Sequence, residues 1–181
     1  MSAVSGFRRV IRLRDVSRAY RAGTPGCLAE VAALESASAE IRAGEVLLVS
    51  GPPGAGKTTL LLCAAGLLRC DSGLIERRTT IIYRDLSAGS DAMTPWPADG
   101  AILLDSLERS SNETREWIAS GIQKVLAERS AIVIASREPQ LAIALLPPMT
   151  TLSVLHLRLG HVVERGDRII HRVAEAAGGS Y

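Results

Sequence analysis

Lysine, aromatic residues and long apolar runs are all scarce in this 181-residue chain, and each scarcity narrows its class. Aromatics make up only 3% of the residues, so the core must be built from Leu, Ile, Val and Ala. No uninterrupted apolar run reaches the ~18 residues of a bilayer-spanning helix, and no membrane insertion is expected. The three cysteines, Cys27, Cys63 and Cys70, form no C-x-x-C pair and have no histidines at metal spacing. They read as small buried hydrophobes in a reducing compartment. His156, His161 and His171 are scattered near the C-terminus and carry no recognisable chemistry. A net charge of +2 is too small for a nucleic-acid footprint, so no nucleic-acid partner is expected. Of 21 basic residues only Lys57 and Lys124 are lysines. That bias carries no function, but it sets Lys57 apart.

What is present suits a globular domain. With 47% hydrophobic residues and no fixed period, the chain is neither fibrous nor disordered, and residues 1–181 read as one domain. The segment Phe7–Tyr20 holds five arginines against Asp15. Such a start can be a transit peptide. The alternation of Ile11, Leu13 and Asp15 with Arg12, Arg14 and Val16 instead predicts a half-exposed strand over Val10–Val16. Further strands are predicted at Ala33–Ile41 and, after the turn Arg42-Ala43-Gly44, at Glu45–Ser50.

Val46-Leu47-Leu48-Val49, Ala101-Ile102-Leu103-Leu104 and Ala131–Ala135 are continuous apolar runs, as expected of strands buried on both faces. Helices are predicted over Lys57–Leu68, from Asn112 as cap to about Glu128, and over Leu141–Leu146. Asp71-Ser72-Gly73 reads as a turn before short strands at Leu74–Glu76 and Thr80–Tyr83, and Leu86–Gly100 reads as loop. Thr151–Leu159 and His161–Glu164 suggest a terminal hairpin around Gly160, with a frayed tail from Ala174 to Tyr181. Buried strands alternating with helices predict an α/β fold, a parallel sheet flanked by helices, with additional N-terminal β strands.

The chemistry concentrates at Gly51-Pro52-Pro53-Gly54-Ala55-Gly56-Lys57-Thr58, which fits G-x-x-x-x-G-K-[ST] at every fixed position. It comes after a buried strand and opens a helix, where loop amides and the helix terminus converge on an anion. Lys57 is expected to reach the β- and γ-phosphates of a nucleotide, and the Thr58 hydroxyl to ligate Mg²⁺. Asp105, closing an apolar strand, is the candidate second metal residue.

With these parts in place, the chain resembles the nucleotide-binding domain of ATP-binding-cassette (ABC) proteins, within the P-loop NTPase superfamily. Leu13-Arg14-Asp15-Val16-Ser17 and then Tyr20 look like the family's opening strand, and Tyr20 fills the place of its adenine-stacking aromatic. Ile41-Arg42-Ala43-Gly44-Glu45 leads into the loop strand as in that family. Thr58-Thr59-Leu60-Leu61, Ala65-Gly66-Leu67 and Asp71-Ser72-Gly73 match the family's stretch on the C-terminal side of the loop. Ala131–Ser136 looks like the strand before the switch histidine, and Leu157–Gly166 is similar to the closing hairpin. The resemblance implies ATP and Mg²⁺ as ligands, held by Tyr20, residues 51–58 and Thr59, with Thr58 and Asp105 on the metal. It implies a cytoplasmic protein, peripheral to a membrane, partnered by a permease or a second ATPase subunit.

The departures are specific. Only 47 residues separate Lys57 from Asp105, too few for the family's helical subdomain. Leu86-Ser87-Ala88-Gly89-Ser90 faintly echoes the signature sequence, but Pro95 and Pro97 preclude a long helix after it. No glutamine stands near Tyr83; Arg84 or Asp85 occupies that region. Ser106 stands where the family has a catalytic glutamate, and loss of a general base commonly costs ~10²–10⁴-fold in rate. Glu108 is a candidate substitute, although it reads first as a solvated loop acid. Arg137 aligns with the switch histidine; a guanidinium can grip a γ-phosphate but cannot accept a proton. The expectation is Mg-ATP binding with weak or absent hydrolysis. The alternatives are a small P-loop kinase, with a lid over Leu107–Arg115 carrying Arg109 and Arg115, and a non-catalytic interaction domain.

Overall fold

The computed structural model describes residues 8–24, 27–88, 95–127, 130–148, 150–158 and 161–165. Two long strands, β1 (Arg9–Thr24) and β2 (Cys27–Arg42), pair antiparallel. β3 (Val46–Ser50) leads through the glycine-rich loop into α1 (Lys57–Ala65). β4 (Ser72–Arg77) returns to β1, and β5 (Thr80–Asp85) starts a second sheet. β6 (Gly100–Asp105), α2 (Asn112–Ala127), β7 (Ala131–Ser136), α3 (Pro139–Ala144), β8 (Leu152–Arg158) and β9 (His161–Arg165) complete the order. The small sheet runs β2-β1-β4, and the large one runs β5-β6-β7-β3-β8-β9. The large sheet is parallel except for β9, which closes the expected hairpin with β8. The predicted α/β architecture with N-terminal strands is therefore present.

The apolar runs explain the layering. Successive strand residues point to opposite faces, so Leu47, Val49, Leu103, Val133 and Ala135 pack towards α1 and the small sheet. Val46, Leu48, Ile102, Leu104, Ile132 and Ile134 pack towards α2 and α3 on the other face. Each run must be apolar throughout because both faces are covered. Trp117, Ile118, Ile122, Val125 and Leu126 form the covered side of α2, as their spacing predicts.

Several element ends differ from the sequence reading. α1 stops at Ala65 rather than Leu68, because Gly66 takes a left-handed conformation (φ +81°) and its amide bonds back to the Cys63 carbonyl at 3.1 Å. Arg77 on β4 holds the same helix end, donating through Nε to the Ala64 carbonyl at 2.7 Å and through a terminal nitrogen to Cys63 O. The cap of α2 is Ser111, not Asn112: its Oγ accepts the Thr114 amide at 3.1 Å. Ser72 and Gly73 belong to β4 rather than to a turn. The alternation in β1 breaks at Asp15, whose positive φ of 49° marks a bulge, so Val16 is buried where strict alternation would expose it. The strand runs on to Thr24, well past Val16.

Aromatic packing holds the described residues that lead into β6. Trp96 stacks on Trp117 of α2 with ring centroids 4.5 Å apart and lies directly against Gly121, where a Cβ would collide with its indole. Ser130 Oγ donates to Pro97 O at 2.9 Å, pinning the same segment. Gly89 and Ser90 of the signature echo lie outside the described residues, and Leu86–Ala88 is a single 3₁₀ turn. Gly160, Gly166, His171 and the tail from Ala174 to Tyr181 also lie outside them. Among the described residues no helix is long and apolar enough to cross a membrane.

Candidate functional site

Because β6, β7 and β3 are neighbours and parallel, their C-terminal ends open on one edge of the sheet. In parallel α/β sheets ligands bind at that edge. β3 delivers the glycine-rich loop there, β6 delivers Asp105, Ser106 and Glu108, and β7 delivers Ser136 and Arg137. Residues far apart in the chain are thus brought to one place by topology alone.

The loop is shaped by its own backbone. Gly56, with φ +85°, packs so closely on β2 that a Cβ would be driven into the Ala33 carbonyl oxygen. Pro52 and Pro53 have no N–H; they shape the loop but cannot donate to an anion. Donation falls to the amides of Gly54, Gly56, Lys57, Thr58 and Thr59, because the Ala55 amide already donates to the Pro52 carbonyl at 3.2 Å. Lys57 Nζ meanwhile donates to the loop's own carbonyls, Gly51 O at 2.7 Å and Pro52 O at 2.9 Å. Burial lowers the Lys57 ammonium below the usual lysine range. The charges of Glu108 and Asp105 oppose that shift and Arg137 adds to it. Lys57 therefore lies in the field of all three.

Asp105 is only 2% exposed, and its Oδ2 accepts the Tyr83 hydroxyl at 3.1 Å. Burial first, then the adjacent Asp105 charge, pushes the Tyr83 phenol well above its ordinary range, so it stays a donor. Tyr83 is a site residue that sequence reasoning missed. Its signal is the parallel register of β5 on β6, which no local pattern reveals. Asp85, by contrast, bonds Ser87 and caps the 3₁₀ turn. Ser106 comes after Asp105 in a left-handed conformation (φ +61°, ψ 44°), a strained setting for a residue with a Cβ.

Glu108 corrects the sequence reading. It is not a solvated loop acid: its side chain is 9% exposed. Its Oε2 accepts the Ser136 hydroxyl at 3.1 Å and the Arg137 amide at 3.3 Å, and its Oε1 lies 3.3 Å from Arg137 Nε. The two candidate catalytic residues are thus paired with each other. The segment that a kinase reading would use as a lid is packed instead: Leu107 and Ser110 are buried, and Arg115 Nε donates to Ser110 Oγ at 3.1 Å.

Tyr20 lies at the other end of the loop, its hydroxyl 3.3 Å from Thr59 Oγ1. The Arg18 guanidinium carbon sits over the Tyr20 ring, 5.1 Å from its centroid, and Tyr20 is exposed. Asp71 anchors Arg18 at 2.5 Å and accepts the Ala19 amide at 2.7 Å. The amide bond first, then Arg18, holds the Asp71 carboxyl below the usual range against some desolvation. A carboxyl lowered on folding contributes stability above its unfolded pKa of about 4 and loses it as pH falls through the folded value. Asp71→Asn is accordingly expected to lower the melting temperature at neutral pH, by a margin that narrows on acidification below about pH 4. Thermal melts from pH 7 to pH 3 check this, and a constant margin would refute it.

Cys63 is fully buried and Cys70 partly so, both as free thiols, and burial foremost pushes the Cys63 thiol up. They behave as the hydrophobes expected; the side chain of Cys27 lies outside the described residues. His156, assigned no chemistry, places Nδ1 2.9 Å from Ser50 Oγ.

A family model described as "ABC transporter" matches residues 34–137, more than half the chain. The chain belongs to the ABC transporter family. The methionine import ATP-binding protein MetN of Rhizobium johnstonii is 30% identical over 198 residues, covering 86% of this chain and 51% of the relative. This ABC-family chain thus spans about half the length of that relative. The molybdenum import ATP-binding protein ModC of Mycobacterium tuberculosis is 45% identical over 67 residues, 37% of this chain and 18% of its own length. A solved dimeric ATP-binding cassette, MJ0796, in a post-hydrolysis state bound to ADP and Pi, superimposes with a TM-score of 0.61 at 14% identity. The match covers 86% of this chain and 98% of the cassette, a likeness of fold. In this ABC-family chain the loop, Asp105 and Arg137 stand at the C-terminal ends of neighbouring parallel strands, and residues 86–99 connect β5 to β6.

Proposed function

We propose that this chain binds Mg-ATP at the β3–α1 loop and hydrolyses it slowly or not at all. It would act as one ATP-binding unit, residues 1–181, of a transporter-like assembly. The observation that carries this reading is the convergence of Lys57, Asp105 and Arg137 on one sheet edge, with Ser106 where a carboxylate would be needed. The amides of Gly54 and residues 56–59 cradle the phosphates, with Gly51 and the Ala55 amide's bond to Pro52 O shaping the turn. Lys57 exchanges its two carbonyl contacts for the β- and γ-oxygens. The exposed Tyr20 ring takes the adenine ring.

Mg²⁺ fits the hard oxygen donors Thr58 and Asp105, the latter fixed by Tyr83, with phosphates and water filling the shell. When bound, the ion would neutralise negative charge on the phosphates.

Hydrolysis is the weak step. The Ser106 hydroxyl is a poor proton acceptor, both Glu108 oxygens are engaged, and Arg137 only donates. The work of such a protein is then nucleotide-dependent contact with a permease or a second ATPase subunit at the cytoplasmic face of a membrane. Calorimetric titration with ATP, with and without Mg²⁺, alongside phosphate release tests the proposal. Binding that tightens with Mg²⁺ and turnover depressed by about 10²-fold or more relative to a glutamate-bearing cassette is expected. Absence of nucleotide binding overturns the reading; brisk turnover overturns its second half.

A further inference from the structure

We propose that the Glu108–Arg137 ion pair is a latch at the γ-phosphate end of this site, closed in the free protein and opened by the third phosphate of ATP. The inference rests on the proposed nucleotide binding and deepens it by assigning how the site tells ATP from ADP.

The geometry is asymmetric. Glu108 is the fixed half: nearly buried, it is tied by the Ser136 hydroxyl and the Arg137 amide. The Arg137 side chain is the movable half, 46% exposed and held by Glu108 at 3.3 Å. Ser136, the residue before Arg137, lies opposite Ser50, the residue before Gly51, in the β3–β7 ladder. That register brings the start of the loop and the backbone of Arg137 side by side, and Lys57 feels the charges of both latch partners. An ion pair with a half-exposed partner is weak and easily exchanged. A guanidinium on a multiply charged phosphate forms bidentate, charge-assisted bonds and wins that exchange. ADP lacks the group that would draw Arg137 away, so with ADP the latch stays closed. Glu108 is thus a positioning residue: it opposes ATP by occupying Arg137 and acts through it.

The test compares ATP and ADP affinities, both with Mg²⁺, for wild type, Glu108→Gln, Arg137→Ala and the double variant. Thermal melts check that each variant folds. Glu108→Gln keeps the shape and the Ser136 bond but releases the guanidinium. It is expected to tighten ATP by about five- to tenfold and leave ADP within about twofold. Arg137→Ala is expected to bring the ATP affinity down towards that of ADP. In the double variant the Glu108→Gln gain should vanish, because the residue it releases is gone. A gain that persists without Arg137 overturns the latch, since Glu108 would then repel phosphate directly. An equal effect on ATP and ADP, or none, also overturns it. Should wild type bind neither nucleotide, the nucleotide reading fails as well, whereas binding of both with an unchanged ratio in every variant removes the latch alone.

Discussion

Replacing Lys57 by alanine is expected to weaken ATP binding by about two orders of magnitude while leaving the fold intact. The Nζ group is placed to leave the carbonyls of Gly51 and Pro52, 2.7 and 2.9 Å away, for phosphate oxygens. Charge-assisted hydrogen bonds contribute about 1.5–3 kcal/mol each. Losing about 3 kcal/mol corresponds to roughly 100-fold in affinity. The ammonium is already partly desolvated, as its lowered pKa indicates, so much of the cost of bringing it to a ligand has been met on folding. Stability should change little, because the Pro52 carbonyl is exposed to water and the space vacated by the half-buried side chain lets water reach Gly51 O. Calorimetry for affinity, with a thermal melt for fold, separates the two effects. An affinity within about threefold of wild type would mean that the loop does not hold phosphate through Lys57.

Gly56→Ala should instead damage the fold and the site together. At φ +85° an alanine costs about 1–2 kcal/mol from backbone strain alone. Its Cβ would also strike the Ala33 carbonyl of β2, at the irregularity between the Arg18–Leu34 and Ala19–Ala32 pairs, so loop and strand must shift apart. A total of about 2–4 kcal/mol is expected, which for a chain of this size lowers the melting temperature by about 5–15 °C. Any surviving folded protein should bind ATP poorly, because the loop must lift off β2 and the amides lose their convergence. A melting temperature within about 2 °C of wild type would show that the loop relaxes freely, against the packing described.

These two residues mark how far local pattern reaches. Lys57 and its flanking glycines are legible in the sequence because a phosphate loop needs its parts at consecutive positions. The continuous runs at Val46–Val49, Ile102–Leu104 and Ile132–Ala135 are legible because two covered faces leave no place for a polar residue. The helix limits were less legible. The Gly66 cap and the Ser111 cap depend on backbone angles and hydrogen bonds that several neighbouring residues could have provided. Asp71 resembles an ordinary turn residue until Arg18 and the Ala19 amide, more than fifty positions earlier, are folded onto it.

Glu108 shows the same division most sharply. In sequence it is an acid in a polar stretch, and solvation is the natural reading. Its burial comes from Ser136 and Arg137, which reach it only because β7 lies beside β6 in the parallel sheet. Tyr83 likewise becomes a partner of Asp105 through the β5–β6 register.

The scarcities with which the sequence begins therefore had firm consequences. With few aromatics the core is aliphatic, and with few lysines the one in the phosphate loop stands out. By itself the sequence determined the fold class, the loop and the absence of a carboxylate immediately after Asp105, since each is encoded in contiguous residues. Only the tertiary structure decided which distant groups face that loop. Strand order and register are long-range properties, and they alone paired Glu108 with Arg137 and set both in the field of Lys57.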